Sequence, residues 1–180
     1  VGEQDGALFI VMKLLEGRSL AELDGPLPPR EAARIAIEVA GALHEAHISG
    51  VIHRDVKPSN VIVERGVPFL LDFGLAMGIG DESLTRTGMA PGTLLYMSPE
   101  QLQGRSTALD PRTDVYSLGA TLYETIAGHP PFTREDPAEL IRHITHRDPP
   151  PLRLPLLDRD LETIVRRAME KDRDRRFATC

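Results

Sequence analysis

The sequence predicts an α+β fold: one mainly helical unit with small strands at its front. Three observations lead there. Apolar residues recur at helical spacing in four stretches, within 29–49, 113–127, 137–144 and 161–168. Short β-type runs are confined to 7–12, 51–52, 61–63 and 69–71. No internal repeat or low-complexity linker divides the 180 residues, a length that suits one domain or a large piece of a bigger one.

Taken in order, residues 2–6 form a turn signal in which Asp5-Gly6 is a favoured hairpin dipeptide. The run 7–12 reads as a strand whose hairpin partner is expected before Val1. The chain is therefore expected to begin inside a sheet it does not contain. Ser19 and Glu22 have the form of a capping box and start a short helix. Pro28-Pro29 opens a longer one, with Ile35, Val39, Leu43 and Ala46 as its buried stripe and Gly50 as its stop. Residues 74–92 lack periodicity and read as a long functional loop. Val115, Leu118, Leu122 and Ile126 share one side of a strong helix over 113–127, capped by Gly128 and closed by Pro130-Pro131. Asp136 opens the next helix, and Leu161, Ile164, Val165 and Ala168 mark the last.

Composition narrows the function. The 41% apolar and 27% charged fractions are ordinary for globular proteins. A net charge of −6 argues against a nucleic-acid partner. Cys180, the single cysteine, excludes an internal disulfide and suits a reducing compartment. No apolar run reaches membrane-spanning length, because Asp72 interrupts the longest candidate, 68–80. The start carries no signal-peptide pattern and no initiator methionine, so both ends are expected to be cut.

Chemistry concentrates in three motifs. The first is the octet His53-Arg54-Asp55-Val56-Lys57-Pro58-Ser59-Asn60. Asp72-Phe73-Gly74 follows, its Asp twelve residues after Asn60 and directly behind an apolar strand. The third runs over 92–100 and ends in Ser98-Pro99-Glu100. A lone His-Arg-Asp or Asp-Phe-Gly reads as a polar turn with solvated charges. The full octet, with the triplet at this interval, does not.

Together these motifs resemble the catalytic domain of serine/threonine protein kinases of the bacterial, eukaryotic-type branch. The resemblance covers nearly the whole chain and refines the fold to a kinase-like, mainly helical C-lobe. It implies one partial kinase domain over 1–180: the last N-lobe strand region at 1–12, a hinge at 13–19, and a C-lobe over 20–180 whose final helix is cut short. It implies transfer of the γ-phosphoryl group of Mg2+-ATP to a protein hydroxyl, with ATP and Mg2+ as cofactors.

The resemblance also assigns roles. Asp55 takes the substrate proton, Lys57 neutralises charge on the γ-phosphoryl, and Asn60 and Asp72 hold Mg2+. Lys57 and Thr93 point to serine or threonine as acceptor. Glu100 is a buried carboxylate answered by Arg176, and Asp114 holds the backbone of the catalytic loop. Met12 stands at the gatekeeper, Lys13 and Leu15 bound the adenine hinge, and Ile62 lies beneath the base. Ser19 matches a ribose-contacting position, an exposed helix cap being its other reading. Thr85 and Thr87 match regulatory phosphosites, with Arg54 placed to bond the phosphate.

The remaining polar residues take plainer readings. His44, His47, His129, His143 and His146 converge on no Cys or carboxylate set, so no zinc site is expected. Arg166-Arg167 and the basic run 173–176 read as solvated faces around one buried arginine.

The sequence departs from the pattern in two ways. A glycine-rich loop, a strand lysine and its glutamate partner are expected before Val1, so residues 1–180 alone are expected to be inactive. Met77 stands where many relatives place a basic residue. The alternatives are a pseudokinase scaffold or a non-catalytic interaction module. The resemblance implies a cytoplasmic location, with any membrane anchor of the parent outside this stretch.

Overall fold

Apolar and small residues occupy nearly the whole circumference of α3 (Arg112–Ala127), so this helix has to lie inside. The computed structural model, which describes residues 2–4, 7–9, 11–73, 92–104, 109–153 and 158–180, places it there. Val115, Tyr116, Ala120, Leu122, Tyr123 and Ile126 are all buried. Helix α1 (Pro29–Ile48) and helix α5 (Arg159–Ala168) both pack against it. Gly119 permits the close approach of α5, because a Cβ there would lie 2.8 Å from Ala168 Cβ. Alanine at 119 would force the two helices apart, at a cost of about 1–3 kcal/mol.

Two apolar clusters flank α3. One joins it to Met97, to Leu102 of α2 (Pro99–Leu102), to Leu140 and Ile144 of α4 (Pro137–His146), and to Val165 of α5. The other joins the α1 stripe Ile35, Val39 and Leu43 to Leu20, Val56 and Val61. Truncating a side chain such as Ile126 or Leu43 to alanine removes about 2–5 kcal/mol.

The helix ends follow local chemistry. Asp136 Oδ1 accepts from Ala138 N at 3.1 Å and Asp158 Oδ1 accepts from Asp160 N at 2.9 Å. Gly128 closes α3 in the left-handed conformation, φ 76°.

The strands form two small antiparallel sheets. β1 (Gly2–Gln4) pairs with β2 (Ala7–Phe9), and β4 (Val61–Glu64) lies between β3 (Arg18–Ser19) and β5 (Val67–Leu70).

Several expectations are corrected. The partner of the first predicted strand lies inside the chain, because Gly2 pairs with Phe9 and Gln4 with Ala7. Val51-Ile52 is no strand; it is a connection after α1 that pairs with no strand among the described residues. Ile164 is 47% exposed, since α5 needs only Val165 and Ala168 to meet α3. Leu118 faces the second cluster rather than the larger one. The short helix after Ser19 is a 3-10 turn, Leu20–Glu22. Among the described residues, no helix is long and apolar enough to cross a membrane.

Candidate active site

The loop 49–57 leaves α1 and enters a 3-10 turn, Pro58–Asn60, ahead of β4. Its shape depends on Asp114 at the start of α3, which is fully buried. Asp114 Oδ2 accepts from His53 N at 2.8 Å and Oδ1 accepts from Arg54 N at 2.8 Å. His47 Nε2 approaches Oδ2 at 2.7 Å as a third donor. A buried carboxylate is tolerable only with such partners. The grip holds Arg54 at φ 69°, a left-handed backbone that costs a non-glycine residue on the order of 1 kcal/mol.

His53 joins this loop to the Asp72 segment. Its Nδ1 accepts from Asp55 N at 3.2 Å, so the proton sits on Nε2, which donates to Leu71 O at 2.7 Å. Its ring meets Phe73 edge-on at 4.7 Å. Gln101 Nε2 donates to Arg54 O at 2.8 Å and ties α2 to the same loop.

Three of the expected residues converge on one oxygen. Asp55 Oδ2 accepts from Asn60 Nδ2 at 3.0 Å and lies 2.8 Å from Lys57 Nζ. Lys57 Nζ also donates to Thr93 Oγ1 at 3.2 Å, which draws in the 3-10 turn Thr93–Tyr96. Asn60 Nδ2 donates again to Asp55 O at 2.8 Å, so its amide nitrogen is spent and its Oδ1 has no partner among the described residues. Asp72 is exposed, held at φ 60°, and likewise has no ion pair or hydrogen bond among them. A carboxylate and an amide oxygen, both uncommitted, are the hard donors that Mg2+ takes. Among the described residues, no three His, Cys, Asp or Glu side chains converge as a metal cluster.

Glu100 and Arg176 pair in a bidentate arrangement, Nη1–Oε1 at 2.7 Å and Nη2–Oε2 at 2.8 Å. Thr113 Oγ1 donates to Oε1 at 3.0 Å, and Arg176 gives further hydrogen bonds to the Arg112 and Glu170 carbonyls. Burial works to raise the Glu100 pKa, but the Arg176 hydrogen bonds and charge bring it below the ordinary carboxylate value.

The remaining expected residues lie apart from this centre. Met12 is 68% exposed. Lys13 extends to Glu64 at 3.2 Å, and Glu64 also accepts from Glu16 N at 2.6 Å. Leu15 and Ile62 are partly buried. Ser19 is buried rather than exposed, and its Oγ donates to Glu22 Oε2 at 2.9 Å. Thr85, Thr87, Met77 and Gly74 lie outside the described residues. Arg54 Nε is buried without a partner among the described residues.

Sequence reasoning missed His47, Gln101 and Glu64. For His47 a signal existed. Ile35, Val39 and Leu43 step by four along α1, and His47 is the next step, so a polar residue continues a buried stripe and needs a buried partner.

Comparison with known proteins identifies the family. Residues 1–180 match the protein kinase domain family. A probable serine/threonine-protein kinase of Clostridium perfringens is 41% identical over 99% of this chain and 27% of that protein. The serine/threonine-protein kinases PknB of Mycobacterium leprae and Mycobacterium tuberculosis are 39% and 38% identical, each over 95% of this chain and 28% of their own length. The chain thus spans little more than a quarter of these relatives.

Proposed function

This chain belongs to the protein kinase family, in its bacterial serine/threonine branch, and we propose that it transfers the γ-phosphoryl group of ATP to a serine or threonine hydroxyl of a protein, with Asp55 as the base. The observation that carries this reading is the state of the Asp55 carboxylate. One oxygen is fixed by Lys57 and Asn60, while the other has no partner among the described residues. A carboxylate anchored at one oxygen presents the other to an incoming hydroxyl and takes its proton as the oxygen attacks phosphorus.

Lys57 stands between Asp55 and Thr93 and adds positive charge where the transferred group becomes more anionic. Asp72 and Asn60 Oδ1 would hold Mg2+, which would supply positive charge to neutralise the phosphate oxygens. Residues 12–15 and Ile62 would take the adenine, and Ser19 the ribose. Thr85 and Thr87 are the regulatory phosphosites, and Arg54 Nε, buried without a partner among the described residues, supports a phosphate-bonding role for that side chain.

The test uses the full-length protein that carries this chain. Asp55→Asn should lower kcat on a protein acceptor by about 10²-fold or more while leaving ATP affinity nearly unchanged. Asp72→Asn should instead weaken the use of Mg2+-ATP itself. Full activity in Asp55→Asn would refute the assignment.

A further inference from the structure

Residues 11–15 owe little of their shape to packing. They belong to no strand, and none of their side chains joins either apolar cluster among the described residues. Val11, Met12 and Leu14 are exposed. The chain just behind them is fixed by β4: a Cβ on Gly17 would lie 2.5 Å from Val63 O, so glycine alone lets the backbone press this close. One side chain of β4 reaches further forward. Glu64 Oε1 accepts from Glu16 N at 2.6 Å, and its Oε2 accepts from Lys13 Nζ at 3.2 Å. Lys13 Nζ also stands 4.5 Å from the centre of the Phe69 ring, and Phe69 is the strand residue paired with Ile62. The two oxygens of one carboxylate thus grip both ends of 13–16.

We propose that Glu64 is a positioning residue for the nucleotide base, holding residues 13–16 in one shape before the nucleotide arrives. The proposal rests on the reading that residues 12–15 and Ile62 take the base.

The two arms of Glu64 contribute unequally. The Lys13 side chain is 63% exposed, and an exposed ion pair contributes little. The backbone arm is a charge-assisted hydrogen bond, shorter and stronger than a neutral one. The Glu16 N–H first, and Lys13 second, hold the Glu64 carboxyl below the ordinary carboxylate range, so it is ionised at neutral pH. Without this acceptor, residues 13–16 spread over several conformations, and a fraction of them receives the base. Apparent affinity then falls in proportion to that fraction. Asp55, Lys57 and Asn60 bond one another without help from Glu64, so chemistry in the bound complex is left intact.

Two variants of nearly equal size separate the arms. Glu64→Gln keeps an oxygen for Glu16 N and loses the charge toward Lys13, whereas Glu64→Met loses both. In the full-length protein, Glu64→Met should raise the KM for ATP about tenfold with kcat within about twofold of the parent. Glu64→Gln should stay within about threefold of the parent KM. ADP binding, read by calorimetry, should weaken in step, and this arm needs no turnover. An unchanged KM and ADP affinity in Glu64→Met would overturn the proposal. So would equal losses in the two variants, which would trace the effect to charge rather than to the backbone acceptor, or a fall in kcat alone. Hydrogen exchange on the parent tests the underlying reading separately. ADP should slow exchange over 13–16, and pyrophosphate, which lacks the base, should not. If the two probes act alike there, the base lies elsewhere and both ideas fall. If they differ while Glu64→Met binds ADP normally, the role of Glu64 alone is removed.

Discussion

His47 and Asp114, 67 positions apart in sequence, meet at 2.7 Å inside the chain, imidazole Nε2 against carboxylate Oδ2. The same oxygen accepts the His53 backbone N–H, so the histidine and the catalytic loop share one acceptor. His47→Leu deprives a buried carboxylate of one of its three donors. Stability should fall by about 1–3 kcal/mol, read from urea unfolding. Phosphoryl transfer by the full-length protein should fall with it, and His47→Asn, which still offers a donor, should recover part of both. An unchanged unfolding midpoint in His47→Leu would show that the pair contributes nothing.

The Glu100–Arg176 pair makes stability depend on acid. Glu100 has a lowered pKa in the folded state. Its contribution is therefore complete above the unfolded value of about 4.3 and is lost as pH falls through the lower folded value. Urea unfolding measured from neutral pH down to about pH 3 should show a loss in the parent that is smaller in Glu100→Gln. At neutral pH Arg176→Ala should cost about 3–5 kcal/mol, because it strands a buried charge. Equal acid sensitivity in parent and Glu100→Gln would remove this pair from the account.

Residues 1–180 contain no G-x-G-x-x-G sequence. Expressed by themselves they should transfer no measurable phosphate to a generic acceptor at millimolar Mg2+, because positioning the phosphates is most of what this reaction requires. Turnover near 1 per second, about the low end for kinases, would contradict that dependence.

Thr85 and Thr87 give the regulatory prediction. Incubation of the full-length protein with ATP should place phosphate on one or both, detectable by mass spectrometry. With Met77 in place of a basic residue, fewer cations are available to share the phosphate, so activation should be modest rather than all-or-none. Absence of phosphate at both positions, with unchanged activity in the double alanine variant, would leave Arg54 a structural residue.

The parts of this molecule that sequence revealed best were those where chemistry demands a fixed spacing. Asp55, Lys57 and Asn60 are separated by so few residues that one loop brings them together, and the octet announces it. The long helices were equally plain, because α1 and α3 carry clear apolar stripes and α3 ends on a left-handed glycine. Pairings between distant segments were harder to read. Glu100 with Arg176 was placed by family resemblance, since no local pattern joins them, and the contact of Lys57 with Thr93 was not foreseen. Gln101 and Glu64 escaped notice because a side chain that bonds a distant backbone group leaves no periodic trace. The strand pairing of residues 2–9 was misassigned for another reason: a three-residue strand such as Gly2–Gln4 carries too few side chains to show alternation.

The contact between Glu16 and Glu64 bears on motion. Glu16 N is bound to the Glu64 carboxylate, Arg18 is paired with Val63, and Ser19 with Ile62. Residues 16–19 are thus laced, rung by rung, to the strand that directly follows Asn60. They move with that strand as one piece. Only residues 11–15 precede the first rung without a ladder of their own. Any swing of the β1–β2 hairpin must therefore pivot ahead of Glu16, and a ligand pressing on 16–19 would push directly against β4.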